Sequence, residues 1–181
     1  YVGGGSLGFT GTGSLTINSS GRSIHMDSYG DPSKSVTFIG SVTVTTTNMI
    51  FTEGGDGDRP NVYINDTADV TCHGIECGNV NQPILNGGSF DNTDVGGDPG
   101  GGEPGGGDPG QQSLYVNGYD ILSDEYAGNV SGLSYEFDLE TNTHKVTLNE
   151  VSITDGHISP GKKTGIHAPS IGDVEIRLIG D

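Results

Sequence analysis

Apolar residues in this chain alternate with polar ones in short bursts, without the three-and-four spacing of a helix. The bursts read as strands: "SLTI" (14–17), "SIHM" (23–26), "SVTFIG" (35–40), "SVTVTTTN" (41–48), "MIF" (49–51), "NVYI" (61–64), "DVTC" (69–72) and "GIEC" (74–77). Further along they resume as "SLYV" (113–116), "LSYEFD" (133–138), "HKVTLNEVSI" (144–153), "TGIHA" (164–168) and "DVEIRLIG" (173–180). Gly, Asn, Asp and Ser separate them, as sharp turns require. The fold class is all-β, with strands too short for an ordinary β-sandwich.

Spacing narrows the architecture. The isoleucines of "SIHM", "NMIF" and "GIEC" fall at 24, 50 and 75, and Ile166 of "GIHA" belongs to the same series. A fixed period of this size is the mark of stacked coils. The pattern predicts a right-handed parallel β-helix (β-solenoid) of about seven short coils, in preference to a β-sandwich. Alternate residues point inward and stack on the same position of the next coil, and coils pair about 4.8 Å apart. Gly and Asn at the corners supply the conformations the bends require.

One stretch interrupts the pattern. "GGDPGGGEPGGGDPG" (96–110) is a solvated, semi-extended spacer between residues 1–95, read as N-terminal coils, and residues 111–181, read as C-terminal coils. Composition adds limits. Thirty-three glycines, no tryptophan and 30% apolar residues make a thin core. The net charge of −17 argues against nucleic acid or an anionic membrane surface as partner. No apolar run is long enough to cross a bilayer, so no membrane insertion is expected. Low Lys with high Asp, Gly, Thr and Asn suggests an exported protein, secreted or at the cell surface. Cys72 and Cys77 in "CHGIEC" read as two small buried side chains, with a local disulfide as the alternative.

"LYVNG", "SYEFDLETNTHKVTLNEVSITDG", "TGIHA", "VEIRLIGD" and "GGGSLGFTGTGSLTINSSGRSIH" resemble segments of bacterial surface parallel β-helix modules from large secreted proteins of anaerobic bacteria. Some of those modules are labelled carbohydrate-binding domains, and calcium and acidic polysaccharides are ligands of related members. In that family "LYVNG" opens a module and "GTGSLTI" follows "EIRLIGD"; here the order is permuted. The resemblance implies that the last coil continues into the first. The C-terminal coils would then complete the solenoid in cis or on a neighbouring copy. Leu7, Phe9, Leu15 and Ile17 on one side, with Val174, Ile176 and Leu178 on the other, are the candidate self-association residues. Unpaired strand edges at such ends favour head-to-tail stacking.

Candidate chemistry is sparse. Glu53, Asp56 and Asp58 in "EGGDGDRPN" are candidate calcium ligands, because alternating acids around glycine offer carboxylate and carbonyl oxygens. His25 and His167 sit beside the inward isoleucines and are expected to face outward as exposed imidazoles. For sugar platforms the tyrosines are the candidates, Tyr29, Tyr63 and Tyr119 foremost, with Tyr126 and Tyr135 behind them. A lyase base would have to be Arg59, and no paired carboxylates suited to a hydrolase concentrate on one face. The expected function is a non-catalytic structural or adhesive module that stacks head-to-tail. The alternatives are a calcium-assisted carbohydrate-binding module and, less favoured, a polysaccharide lyase.

Overall fold

A computed structural model of the chain describes residues 2–3, 5–19, 21–28, 31, 33–54, 59–93, 114–123, 130–154, 157–159, 162–167 and 172–180. The chain opens with β1 (Val2–Gly3), β2 (Leu7–Gly11) and β3 (Ser14–Ile17). The same succession returns as β4 (Ile24–Asp27), β5 (Ser35–Phe38) and β6 (Thr43–Thr46), then as β7 (Ile50–Glu53), β8 (Asn61–Asn65) and β9 (Asp69–Cys72). A fourth round consists of β10 (Ile75–Glu76), β11 (Ile84–Asn86) and β12 (Ser89–Asn92). Past residues 94–113, which include the predicted spacer and lie outside the described residues, come β13 (Tyr115–Val116), β14 (Tyr119–Asp120), β15 (Leu133–Asp138), β16 (Thr143–Asn149) and β17 (Ser152–Ile153). The last are β18 (His157–Ser159), β19 (Lys162–Thr164), β20 (Ile166–His167) and β21 (Asp173–Ile179).

The protein is all-β, and its three largest sheets are built from parallel strands. Their orders are β1-β4-β7-β10, β11-β8-β5-β2-β21-β16-β15 and β12-β9-β6-β3-β17. Only the β15–β16 hairpin among these strand pairs is antiparallel. The isoleucine series is the register of the first sheet, where Ile24 pairs with Ile50 and Ile50 with Ile75. Ile166 departs from it: β20 pairs antiparallel with β13, opposite Val116, in a separate three-stranded sheet.

Burial follows the alternation. In β2, β5 and β8 the inward residues Leu7, Phe9, Val36, Phe38, Val62 and Ile64 are buried, and their neighbours along each strand are only partly so. Each such side chain contributes about 1.5–3 kcal/mol by leaving water. Parallel register stacks like positions into columns, and the Phe9 and Phe38 rings lie 4.8 Å apart and nearly coplanar. Corners between the second and third sheets use positive-φ residues in successive rounds: Gly11, Gly40, Asp66 and Gly87. Glu150 does the same after β16, which divides the apolar run 144–153 into two strands at that residue.

The segments at the two ends of the chain meet. β21 lies between β16 and β2, parallel to both, with Leu7 opposite Val174 and Phe9 opposite Ile176. β17 pairs with β3 in the third sheet, Ile153 opposite Ile17. The backbone continues the seam where Thr12 N–H donates to the Leu178 carbonyl and Val174 N–H to that of Ser6.

Cys72 and Cys77 are buried free thiols. Burial pushes them up, to about 12 and about 11. Because the thiolate is the reactive form, a disulfide-exchange reagent at pH 8 should label the native protein about a hundredfold or more slowly than the denatured chain. Rapid native labelling would show that these strands open or that the thiols are accessible.

Candidate functional site

One concave feature among the described residues lies at the β15–β16 end of the seven-stranded sheet. Alternation along "LSYEFD" puts Leu133, Tyr135 and Phe137 on one face of β15, opposite Leu148, Val146 and His144 of β16. These partners are buried, whereas Phe137, on the outermost strand, is 40% exposed. The turn is held by its own side chains. The Asp138 carboxylate accepts from the Glu140 and Thr141 N–H groups, and Lys145 Nζ donates to it at 2.6 Å. That lysine bond, aided by the backbone donors, holds the Asp138 carboxyl well below its ordinary range and raises the Lys145 ammonium.

Tyr135, Phe137 and His144, with Ile121 and Leu122 from the segment after β14, line an open cleft of about 400 Å³. The Phe137 and His144 rings are 4.8 Å apart and tilted. The Tyr135 hydroxyl lies 2.9 Å from His144 Nδ1. Burial pushes the Tyr135 phenol above its ordinary value, so it stays neutral and keeps its proton for hydrogen bonding. Sequence reasoning placed Tyr135 among the secondary tyrosines and passed over Phe137 and His144. The signal was available in "LSYEFD", which sets three large side chains on one face of a single strand.

A second cluster covers the outer face of the first sheet. His25, Phe51 and Glu76 are register neighbours there, alternating with the core isoleucines. The Arg22 guanidinium lies 3.4 Å from the Phe51 ring centroid and that of Arg59 5.4 Å from it. Arg59 pairs with Glu76 at 2.8 Å, and His25 Nε2 is 3.2 Å from Glu53. Burial and the neighbouring Asp27 raise the Glu53 carboxyl, against the pull of Arg22 and Arg59. The expectation that His25 is exposed is corrected: it faces outward but is 8% exposed, packed edge-on to Phe51. Arg59, the lyase-base candidate, is held by Glu76 and by Asn81.

The remaining predicted residues scatter. Glu53, a candidate calcium ligand, belongs to the arginine cluster; Asp56 and Asp58 lie outside the described residues. Tyr63 is half-buried on β8, and Tyr119 is 45% exposed on β14 in the three-stranded sheet. Tyr29, Tyr126 and the His167 side chain lie outside the described residues. Leu7, Phe9, Leu15, Ile17, Val174, Ile176 and Leu178 are all buried, and their strands pair within the chain. Comparisons with protein-family models, with curated proteins and with solved structures find nothing that matches this chain.

Proposed function

We propose that the chain is a non-catalytic, extracellular β-solenoid module with a structural or adhesive role, a rigid segment of a rod or fibre that stacks head-to-tail. In this reading the three parallel sheets are the walls of a right-handed parallel β-helix of about seven short coils. Residues 96–110 are the linker that lets the C-terminal coils return to the N-terminal ones. The observation that carries the reading is the seam: β21 continues the columns of both β16 and β2. A core built this way resists bending because each coil is hydrogen-bonded along its length to the next. The secreted or surface location is supported by the composition and by the segment resemblance.

A second reading is favoured by the cleft. Tyr135, Phe137 and His144 offer ring faces and a polar tip to a pyranose, whose C–H face packs on aromatics and whose hydroxyls need partners. The chain then also acts as a carbohydrate-binding module, and calcium assistance through Glu53, Asp56 and Asp58 belongs to this reading. Affinity gels cast with neutral and acidic polysaccharides test both. Retention that Tyr135→Ala reduces about tenfold supports the cleft, and loss of retention in chelator supports calcium. Release of new reducing ends or unsaturated uronic products would overturn the non-catalytic reading.

A further inference from the structure

The strands at the β15–β16 end of the sheet sort their side chains by charge. Successive residues of a strand take opposite faces, so Tyr135 and Phe137 share one face of β15 while Glu136 and Asp138 take the other. On β16 His144 lies opposite Phe137, and Lys145 lies opposite Glu136. β21 continues the pattern, with Val174 beside His144 and Glu175 beside Lys145. The acids and the lysine of this end therefore lie on the face away from the cleft. Lys145 is also engaged there, its Nζ 2.6 Å from the Asp138 carboxylate. On the other wall Asp120, next to Ile121, turns its Oδ1 to the backbone N–H groups of Leu114 and Leu122. Among the described residues the lining consists of Ile121, Leu122, Tyr135, Phe137 and His144, with no arginine, lysine or carboxylate.

We infer that this cleft takes an uncharged pyranose and turns away uronic acids. The inference rests on the carbohydrate reading above and names the ligand class of that same site. A ring face packs on the C–H face of a neutral sugar with no charge to desolvate, and Phe137, 40% exposed, offers one. The Tyr135 hydroxyl beside His144 Nδ1 is the polar group that meets a sugar hydroxyl. A uronate set on the same rings carries its carboxylate partly out of water with no lysine or arginine in the lining to receive it.

Two further terms act in the same direction. The chain carries a net charge of −17, and its field opposes a polyanion before contact is made. Calcium does not reverse this at the cleft, because a bridging ion is held mainly by carboxylates and the lining supplies none. Glu53, the described member of the calcium candidates, sits with Arg22 and His25 on the first sheet. Sugar binding through this cleft is therefore independent of calcium.

Matched polymers isolate the charge. Affinity electrophoresis of the full chain at pH 8 compares hydroxyethyl- with carboxymethyl-cellulose, and methyl-esterified with de-esterified polygalacturonate, so that the carboxylate changes on a constant backbone. The expected result is retention by the neutral member of at least one pair that exceeds its acidic partner about tenfold or more. Chelator should leave that retention unchanged, and Tyr135→Ala and Phe137→Ala should each reduce it about tenfold. Leu122→Arg, which places a guanidinium in the lining, should narrow the gap between neutral and acidic members about tenfold. Urea unfolding of each variant shows that it is folded, and Phe137→Ala, at an exposed position, keeps the test open if Tyr135→Ala is not. An acidic member retained as strongly as its neutral partner, with Phe137→Ala still weakening both, would overturn the neutral-sugar inference and leave the cleft reading standing. Retention of no polymer, or retention that both alanine variants leave unchanged, would overturn the inference and the cleft reading together.

Discussion

Replacing Ile176 by alanine should destabilise the protein by about 2–5 kcal/mol, measured by urea unfolding followed with two independent probes. Ile176 is fully buried, and its strand, with β17, joins the C-terminal and N-terminal parts. It faces Val146 on one side and Phe9 on the other. Removing three carbons there leaves a cavity between Val146 and Phe9, which are fixed by their own strand registers and have little freedom to close it. Ile179, three residues on in the same strand, is 41% exposed, and Ile179→Ala should cost less than about 1 kcal/mol. The contrast is the test. Equal effects at 176 and 179 would mean that β21 is not held between β16 and β2. Deleting residues 173–181 should be more severe still, because β16 and β2 lose their common partner. Cutting the chain within residues 96–110 should instead leave the two pieces associated, since the seam is made by strand pairing.

Gly11→Ala is the second large effect, expected at about 3 kcal/mol or more from thermal or urea unfolding. Gly11 has φ +109°, a conformation that side chains rarely adopt, and a Cβ built there would lie 2.2 Å from the Leu178 carbonyl oxygen. Backbone from β21 has to move away to admit it, so the strain falls on the same seam. Gly8 is the control within the same strand. The nearest atom to a Cβ at Gly8 is the Val174 carbonyl oxygen, at 4.0 Å. Gly8→Ala should be neutral or stabilising by about 0.5 kcal/mol, through a less flexible unfolded chain. If Gly11→Ala proved as harmless as Gly8→Ala, the close approach of Leu178 to this corner would be wrong.

Both experiments probe an arrangement whose local part is written in residue order and whose global part is not. Alternation in "SVTF", "TVTT" and "NVYI" names the inward residues, because a strand's side chains take opposite faces in turn. The spacing of Ile24, Ile50 and Ile75 names their partners, because parallel register puts like positions of successive rounds side by side. Residues 84–92 were not read as strands. "ILNGGSFDN" has few apolar residues to alternate, and β11 and β12 exist by pairing with β8 and β9. His25 was misjudged for a similar reason. Its outward direction follows from alternation, but its burial depends on Phe51 and Glu53 of the next round, which pairing brings beside it, and on Arg22 lying over Phe51. The aromatic cleft was half legible: Tyr135 and Phe137 share a strand, while His144, Ile121 and Leu122 reach it only through tertiary folding.

By itself the amino-acid order determined the all-β class, the parallel pairing of repeated rounds and the corners at which the chain turns. These are local matters, decided by alternation, by period and by residues such as Gly11 and Gly40 that tolerate positive φ. The resemblance implied that the last strand meets the first; tertiary structure decided that the meeting is made within one chain, with β21 inserted between β16 and β2. Strand edges are chemically alike along their length, so which edge meets which is settled by the stacking of whole columns, which no local stretch of residues specifies.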